Sequence, residues 1–290
     1  MKIDIICPLY NAEEYLYELD ESLKKQNDVN IENIKYILTK SKDNTEQILK
    51  NISAQYFIVE PKDFSHSLTR EKIAMQSKAD VLVFITQDIV IKDSKWLYEL
   101  VKPIINGEAE ATFSRQLTKY DNIEKYTREK NYPEKSYIVS KEDAEKMGLR
   151  TFFFSDASSA IKTTVFKELK GYDNKDLPIS EDMYIAYKII NGGYRIKYCA
   201  NSVIYHSHHF SLKQLYKRYY DTGVFFAQNS YLDKFGTNKT GGGLAIYIIK
   251  RAIEDRNYKV LLRFLPDMFV RFLGMKVGKI NGKKKIVANT

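Results

Sequence analysis

The chain has 290 residues, 44% of them hydrophobic, so it is too apolar to remain disordered and long enough to bury a sizeable core. Its two cysteines, Cys7 and Cys199, lie far apart without metal-type spacing, which excludes a disulfide scaffold or zinc ribbon and suits a reducing compartment. Of the net charge of +9, residues 241–290 carry +8, which leaves a nearly neutral body and disfavours nucleic acid as a partner.

Lys2–Cys7 reads as a buried strand, ended by Pro8-Leu9-Tyr10-Asn11. Asp4, Pro8 and Asn11 interrupt this segment, so it lacks a signal-peptide core. Asn11 and Glu14 form a capping pair ahead of Leu16, Leu19 and Leu23 at helical spacing. Tyr36–Leu38 is a second strand, Thr45–Ile52 a helix and Tyr56–Val59 a third strand. Ser65–Lys78 is a helix, Val81–Ile85 a strongly β-branched strand, Trp96–Ile105 a helix and Ala109–Ser114 a strand. This alternation predicts an α/β fold with a mostly parallel central sheet flanked by helices. Ligands of such sheets bind beyond the carboxyl ends of strands, which singles out Tyr10, Asn11, Thr39, Ser41, Gln87, Asp88 and Arg115.

Residues 122–147 read as helices plus a mobile loop. Thr163–Leu169 is a short helix, and Glu181–Asn191 is a helix ended by Gly192-Gly193. Arg195–Cys199 and Ser202–Tyr205 are two short strands leading to His206-Ser207-His208-His209. Gly241-Gly242-Gly243 reads as a hinge between a body, residues 1–240, and a tail, residues 241–290. In that tail, 244–252 and 260–273 pattern as basic amphipathic helices broken at Pro266. Such helices suit either an anionic membrane surface or a second subunit, and the two can coexist. No run approaches the roughly 18 apolar residues of a membrane-spanning helix.

Three clusters can carry chemistry. Asp88, directly after a hydrophobic strand, offers carboxylate oxygens to a hard divalent cation. Glu181-Asp182 at a helix start suits both the helix dipole and a general base. His206, with His208 and His209, gathers three of the four histidines of the chain. No Gly-rich phosphate loop and no Ser nucleophile elbow is present, so hydride transfer, P-loop hydrolysis and acyl transfer lose their usual support.

The order Pro8-Leu9-Tyr10-Asn11, Thr86-Gln87-Asp88, Glu181-Asp182 and His206 resembles an inverting family 2 glycosyltransferase with a GT-A fold. The segment from Phe64 to Arg70 is similar to the FxHxxTR block of bacterial rhamnosyltransferases. So are Arg115-Gln116-Leu117, Phe154-Ser155-Asp156 with Ser159, His206-Ser207-His208, and Arg218-Tyr219-Tyr220-Asp221 with Gly223. The resemblance implies a nucleotide-sugar-binding fold with a C-terminal helical extension. It implies transfer of L-rhamnose from dTDP-β-L-rhamnose to a hydroxyl of a lipid-linked glycan, in bacterial cell-surface polysaccharide synthesis. Another nucleotide sugar, or a binding module without turnover, stand as alternatives.

By the same resemblance Asp88 and His206 hold Mg²⁺ or Mn²⁺, and Asp182 is the general base. Pro8, Tyr10, Asn11, Ser41, His66, Arg70, Gln87 and Arg115 fall on the donor side, and Asp156 and Glu181 on the acceptor side. The implied location is cytoplasmic, peripheral at the inner face of the cell membrane. Two departures stand out. Ser41 sits near the place where many family 2 enzymes carry a uracil-binding carboxylate, which argues against a uridine donor. The metal motif is Gln-Asp rather than Asp-x-Asp, so Asp88 is its one carboxylate.

Overall fold

The computed structural model describes residues 1–236 and 238–288. Its strands are β1 (Lys2–Leu9), β2 (Asn30–Thr39), β3 (Gln55–Val59), β4 (Val81–Ile85), β5 (Ile89–Val90), β6 (Ala111–Leu117), β7 (Tyr137–Val139), β8 (Ser158–Lys162) and β9 (Ile196–His206). The helices are α1 (Leu16–Lys24), α2 (Thr45–Asn51), α3 (His66–Gln76), α4 (Trp96–Ile105), α5 (Ile123–Asn131), α6 (Ala144–Met147), α7 (Thr163–Glu168), α8 (Glu181–Asn191), α9 (Leu212–Gln228), α10 (Asn238–Glu254) and α11 (Tyr258–Ala288).

The strands form one sheet in the order β3-β2-β1-β4-β8-β6-β9-β5, with β7 also on β9. The first four pair in parallel, as the alternation of strands and helices predicts. Beyond β4 the sheet is mixed: β8 runs antiparallel to both neighbours, while β6 and β9 are parallel. Alternation splits the core into two layers. Ile3, Ile5, Val81, Val83 and Ile85 face one side of the sheet, and Ile6, Leu82 and Phe84 face the other. All five residues of β4 are buried, hence its uninterrupted apolar run.

Several local expectations change. The two short strands around 195–205 are one strand, β9, whose register against β6 shifts between Ser114 and Arg115. A bulge in one strand looks, in sequence, like two strands. Residues 122–147 hold the expected helices, α5 and α6, and in place of a mobile loop a short strand, β7, that finds a partner edge on β9. Gly241–Gly243 lie within α10, and α11 runs through Pro266 without a break. Packing overrides both breakers. Ile248 and Ala252 of α10 and Val260 and Phe264 of α11 pack with Ile123 and Tyr126 of α5. The tail is therefore docked on the body. On α11, Gly274, Gly278 and Gly282 are spaced four apart, and a Cβ at each would strike Tyr216, Tyr220 or Val224 of α9. That close approach is what three small residues on one helix face permit.

Candidate active site

The carboxyl ends of β1 and β4 open onto a cavity of about 500 Å³ lined by Pro8, Tyr10, Thr39, Phe64, His66 and Asp88, among others. A second cavity, of about 470 Å³, carries Asp182, His206, His208 and Arg218. His66, Arg70, Thr86 and Asp88 line both, so the two spaces meet at Asp88. Of the polar groups singled out after the parallel strands, Tyr10, Thr39, Gln87 and Asp88 line the first cavity.

Asp88 follows β4 and directly precedes β5. Ile89 pairs with His206 and Val90 with Tyr205, so the antiparallel β5–β9 ladder sets Asp88 against the end of β9. Asp88 Oδ2 lies 3.4 Å from His206 Nε2 and 3.7 Å from His208 Nδ1. One ligand atom from each of the three falls within 4.8 Å of the others. Burial pushes the Asp88 carboxyl up, but the two imidazoles and the Thr86 hydroxyl hold it below the usual range. Burial, with His206 alongside, lowers His208 to about 3, so its ring is neutral with a lone pair to give. One carboxylate oxygen and two imidazole nitrogens fit a divalent cation, and imidazole favours Mn²⁺ over Mg²⁺. His208 is the member that the sequence reading did not place among the ligands. In the bare motif His-Ser-His nothing says which rings converge on Asp88.

The three acids on the far side separate by their partners. Glu181 Oε1 accepts from Arg70 Nη1 at 3.2 Å. Asp156 accepts from Ser159 Oγ at 2.8 Å and from the Tyr172 hydroxyl at 2.7 Å, so both its oxygens are engaged. Asp182, at the start of α8, accepts only the Met183 N–H, at 2.8 Å, among the described residues. Burial and the neighbouring carboxylates of Glu181 and Asp156 raise the Asp182 carboxyl well above its ordinary value. A carboxylate so raised, with one oxygen open to the cavity, is a stronger base than a solvated one and suits proton abstraction from a hydroxyl. Ser180, the residue that precedes α8, holds φ at 62°, a left-handed conformation that is costly for a serine and aims the start of the helix.

The remaining expected donor-side residues divide. His66, at the first turn of α3, is lowered to about 4 by burial with Arg70 and Arg218 nearby, so it is neutral. Arg70 is buried and also donates to the His66 carbonyl at 2.9 Å, which makes it an internal strut as well as a cavity wall. Gln87 spends its amide on Tyr10: its Nε2 donates to the Tyr10 carbonyl, and its Oε1 accepts the Tyr10 N–H at 2.7 Å. It shapes the rim and leaves the Tyr10 ring, 54% exposed, free to stack.

Asn11, Ser41 and Arg115 line neither cavity. Asn11 turns the chain at φ 48°. The Ser41 hydroxyl is drawn to Asp43 at 2.6 Å, and Arg115 reaches outward to Glu134 at 3.2 Å. Thr39 lines the cavity where Ser41 does not, and its buried hydroxyl has no partner among the described residues. Asp43 is likewise engaged, accepting from the Thr45 hydroxyl and the Glu13 N–H.

The glycosyl transferase family 2 model matches residues 4–170, which hold β1 to β4 and Asp88. The O-antigen chain rhamnosyltransferase RfbN of Salmonella typhimurium is 36% identical, over 96% of this chain and 90% of that protein. The O-antigen chain rhamnosyltransferase WbaN of Salmonella anatum is 32% identical, over 95% of this chain and 88% of that protein. Among solved structures, the mannosyltransferase PcManGT of Pyrobaculum calidifontis, in complex with GDP-Man and Mn²⁺, aligns with a TM-score of 0.63 at 14% identity. It covers 99% of this chain and 87% of that chain, and shows the shared fold. With the paired cavities meeting at the acid after β4, these likenesses establish that the chain belongs to glycosyl transferase family 2.

Proposed function

We propose that this enzyme transfers L-rhamnose from dTDP-β-L-rhamnose to a hydroxyl of a lipid-linked glycan in cell-surface polysaccharide synthesis. The observation that carries this reading is one cavity in which Asp182, with an open carboxylate oxygen, faces the Asp88–His206–His208 cluster. The names of the two relatives support rhamnose and an O-antigen-type product. Asp182 takes the proton of the acceptor hydroxyl as its oxygen bonds to the anomeric carbon. The bond from that carbon to the diphosphate breaks, the electron pair leaves with dTDP, and the displacement inverts the centre. Asp88, His206 and His208 would hold Mn²⁺ or Mg²⁺, which supplies charge neutralisation to the departing diphosphate. The cavity at β1 and β4 takes the nucleotide, with Tyr10 at its rim. Ser41, turned to Asp43, supplies no carboxylate for the base ring.

The enzyme works at the inner face of the cell membrane, attached peripherally through its tail. No helix among the described residues is long and apolar enough to cross a membrane.

A panel of nucleotide sugars tests the donor. With Mn²⁺ and lipid-linked acceptors, dTDP-rhamnose is expected to give release of dTDP at least ten times faster than any UDP-sugar gives UDP. Release of UDP from a UDP-sugar without release of dTDP rejects rhamnose. Tight donor binding without release from any sugar makes the chain a binding module.

A further inference from the structure

Helix α11 is docked through one face and bare on the other. Its glycines meet α9, while Leu262, Leu265, Phe269, Phe272 and Ile280 recur at helical spacing, between 48% and 81% exposed. Helix α10 shows the same pattern on a smaller scale in Ile246, Ile249 and Ile253. This is a contiguous apolar stripe of the kind that monomeric proteins rarely leave in water. The cations Lys259, Arg263, Lys276, Lys283 and Lys284 are exposed on the same helix. Asp267, its one acid, is buried beside Arg271. The outer surface of α11 is thus apolar and cationic, with no acid.

We propose that this stripe inserts into the headgroup layer of an anionic membrane, with α11 lying in the plane of the surface and the lysines among the lipid phosphates. This rests on the membrane location proposed above and changes its physical basis: charge attracts, but apolar burial holds. A second copy of the chain is the poorer occupant, because it would bring an equally cationic surface against this one.

The test is co-sedimentation of the full chain with vesicles of phosphatidylglycerol and phosphatidylethanolamine, at low salt and in 1 M NaCl. At 1 M salt the Debye length shrinks to roughly 3 Å, so purely electrostatic attachment is released. Wild type is expected to stay bound. The quadruple variant Leu262→Ser, Leu265→Ser, Phe269→Ser, Phe272→Ser is expected to lose at least ten-fold in partitioning with an unchanged thermal midpoint. Equal partitioning of the two proteins overturns the insertion while leaving the membrane location standing. Absence of any vesicle binding by wild type removes the location itself. A dimer in solution that the four substitutions dissolve, without vesicle binding, assigns the stripe to a second copy.

Independently of the tail, the hydrogen bonds behind the metal-side cluster fix the tautomer of His206. Gln116 is buried, and its Oε1 accepts from Arg128 Nη1. A guanidinium has no acceptor, so this contact settles which way the amide points. Gln116 Nε2 accordingly donates to Ser155 Oγ at 2.8 Å. The same Oε1 lies 3.0 Å from His206 Nδ1, and two acceptors cannot share a hydrogen bond. Nδ1 therefore carries a proton toward Gln116, which leaves Nε2, 3.4 Å from Asp88 Oδ2, as the ring nitrogen that can face a cation.

We infer that Gln116, locked by Arg128, is a positioning residue that presents His206 to a divalent cation through Nε2. This rests on the metal reading of the proposed function. The readout is Mn²⁺ affinity by electron paramagnetic resonance, without sugar nucleotide. Gln116→Met, close in volume but without the acceptor, is expected to weaken Mn²⁺ about 10- to 100-fold, and Gln116→Glu to restore it. Unchanged affinity in Gln116→Met, when His206→Ala does weaken it, overturns the inference. Unchanged affinity in His206→Ala removes the metal reading instead. A ¹⁵N spectrum of the wild-type chain needs no variant to fold: a His206 ring protonated at Nε2 overturns the inference, and one protonated at Nδ1 supports it.

Discussion

Asp182→Asn is expected to lower the rate of transfer about 10²- to 10⁴-fold while leaving nucleotide-sugar binding within about two-fold of wild type. The asparagine keeps the shape of the side chain and the bond from the Met183 N–H, but it cannot take a proton. Glu181 and Asp156 do not substitute, because Arg70 and Tyr172 already occupy them. The same variant is expected to melt at a higher temperature than wild type at neutral pH. The sign follows from linkage: a carboxyl raised in the folded state above its unfolded value favours folding at low pH. That favour is lost as pH rises through the folded value. Removing the charge removes the loss, so activity and stability move in opposite directions, as at other sites built for function. In wild type, transfer should fall as pH is lowered through a midpoint above the ordinary carboxylate range. Stopped-time assays across pH and a thermal melt of each protein check both halves. Normal transfer by Asp182→Asn removes it as the base.

Asp88→Ala is expected to abolish measurable Mn²⁺ binding and to lower transfer about 10³-fold, the scale seen when one stabiliser of developing charge is removed. It takes away the one carboxylate of the cluster and leaves two imidazoles, a poor set for a hard cation. His208→Asn should fall between Asp88→Ala and wild type, since it removes one of three donors. Chelation followed by return of Mn²⁺ or Mg²⁺ to the wild-type chain should restore transfer, with Mn²⁺ the better of the two. Wild-type activity in excess chelator, or full Mn²⁺ affinity in Asp88→Ala, rejects the cluster as the metal site.

Much of this architecture is local. Apolar runs are enough to place β1 and β4, because both strands are short, largely buried and bounded by polar turns. The rule that ligands gather beyond parallel strands leads to Asp88 and Tyr10 from sequence alone. It also leads to Asn11 and Ser41, which follow strands, and to Arg115, which lies within β6, yet none of the three lines either cavity. Position after a strand cannot reveal that Ser41 has Asp43 two residues away to bond, or that Arg115 turns to Glu134.

The tail shows the opposite limit. Three consecutive glycines and a proline carry a helix penalty that reads as a hinge and a break. Packing on α5 and α9 offsets that penalty, and packing between segments distant in sequence has no local signature.

The amino-acid sequence by itself determined the strand–helix alternation, the order of the motifs, the +8 tail and which acids and histidines are available. The tertiary structure alone decided which of them work together. The β5–β9 register sets Asp88 against His206 and His208, Arg70 and Tyr172 occupy two of three acids and leave Asp182 open, and glycine contacts with α9 turn the apolar side of α11 outward. Each of these depends on pairing between segments far apart in the chain, where the energy lies in geometry rather than in composition.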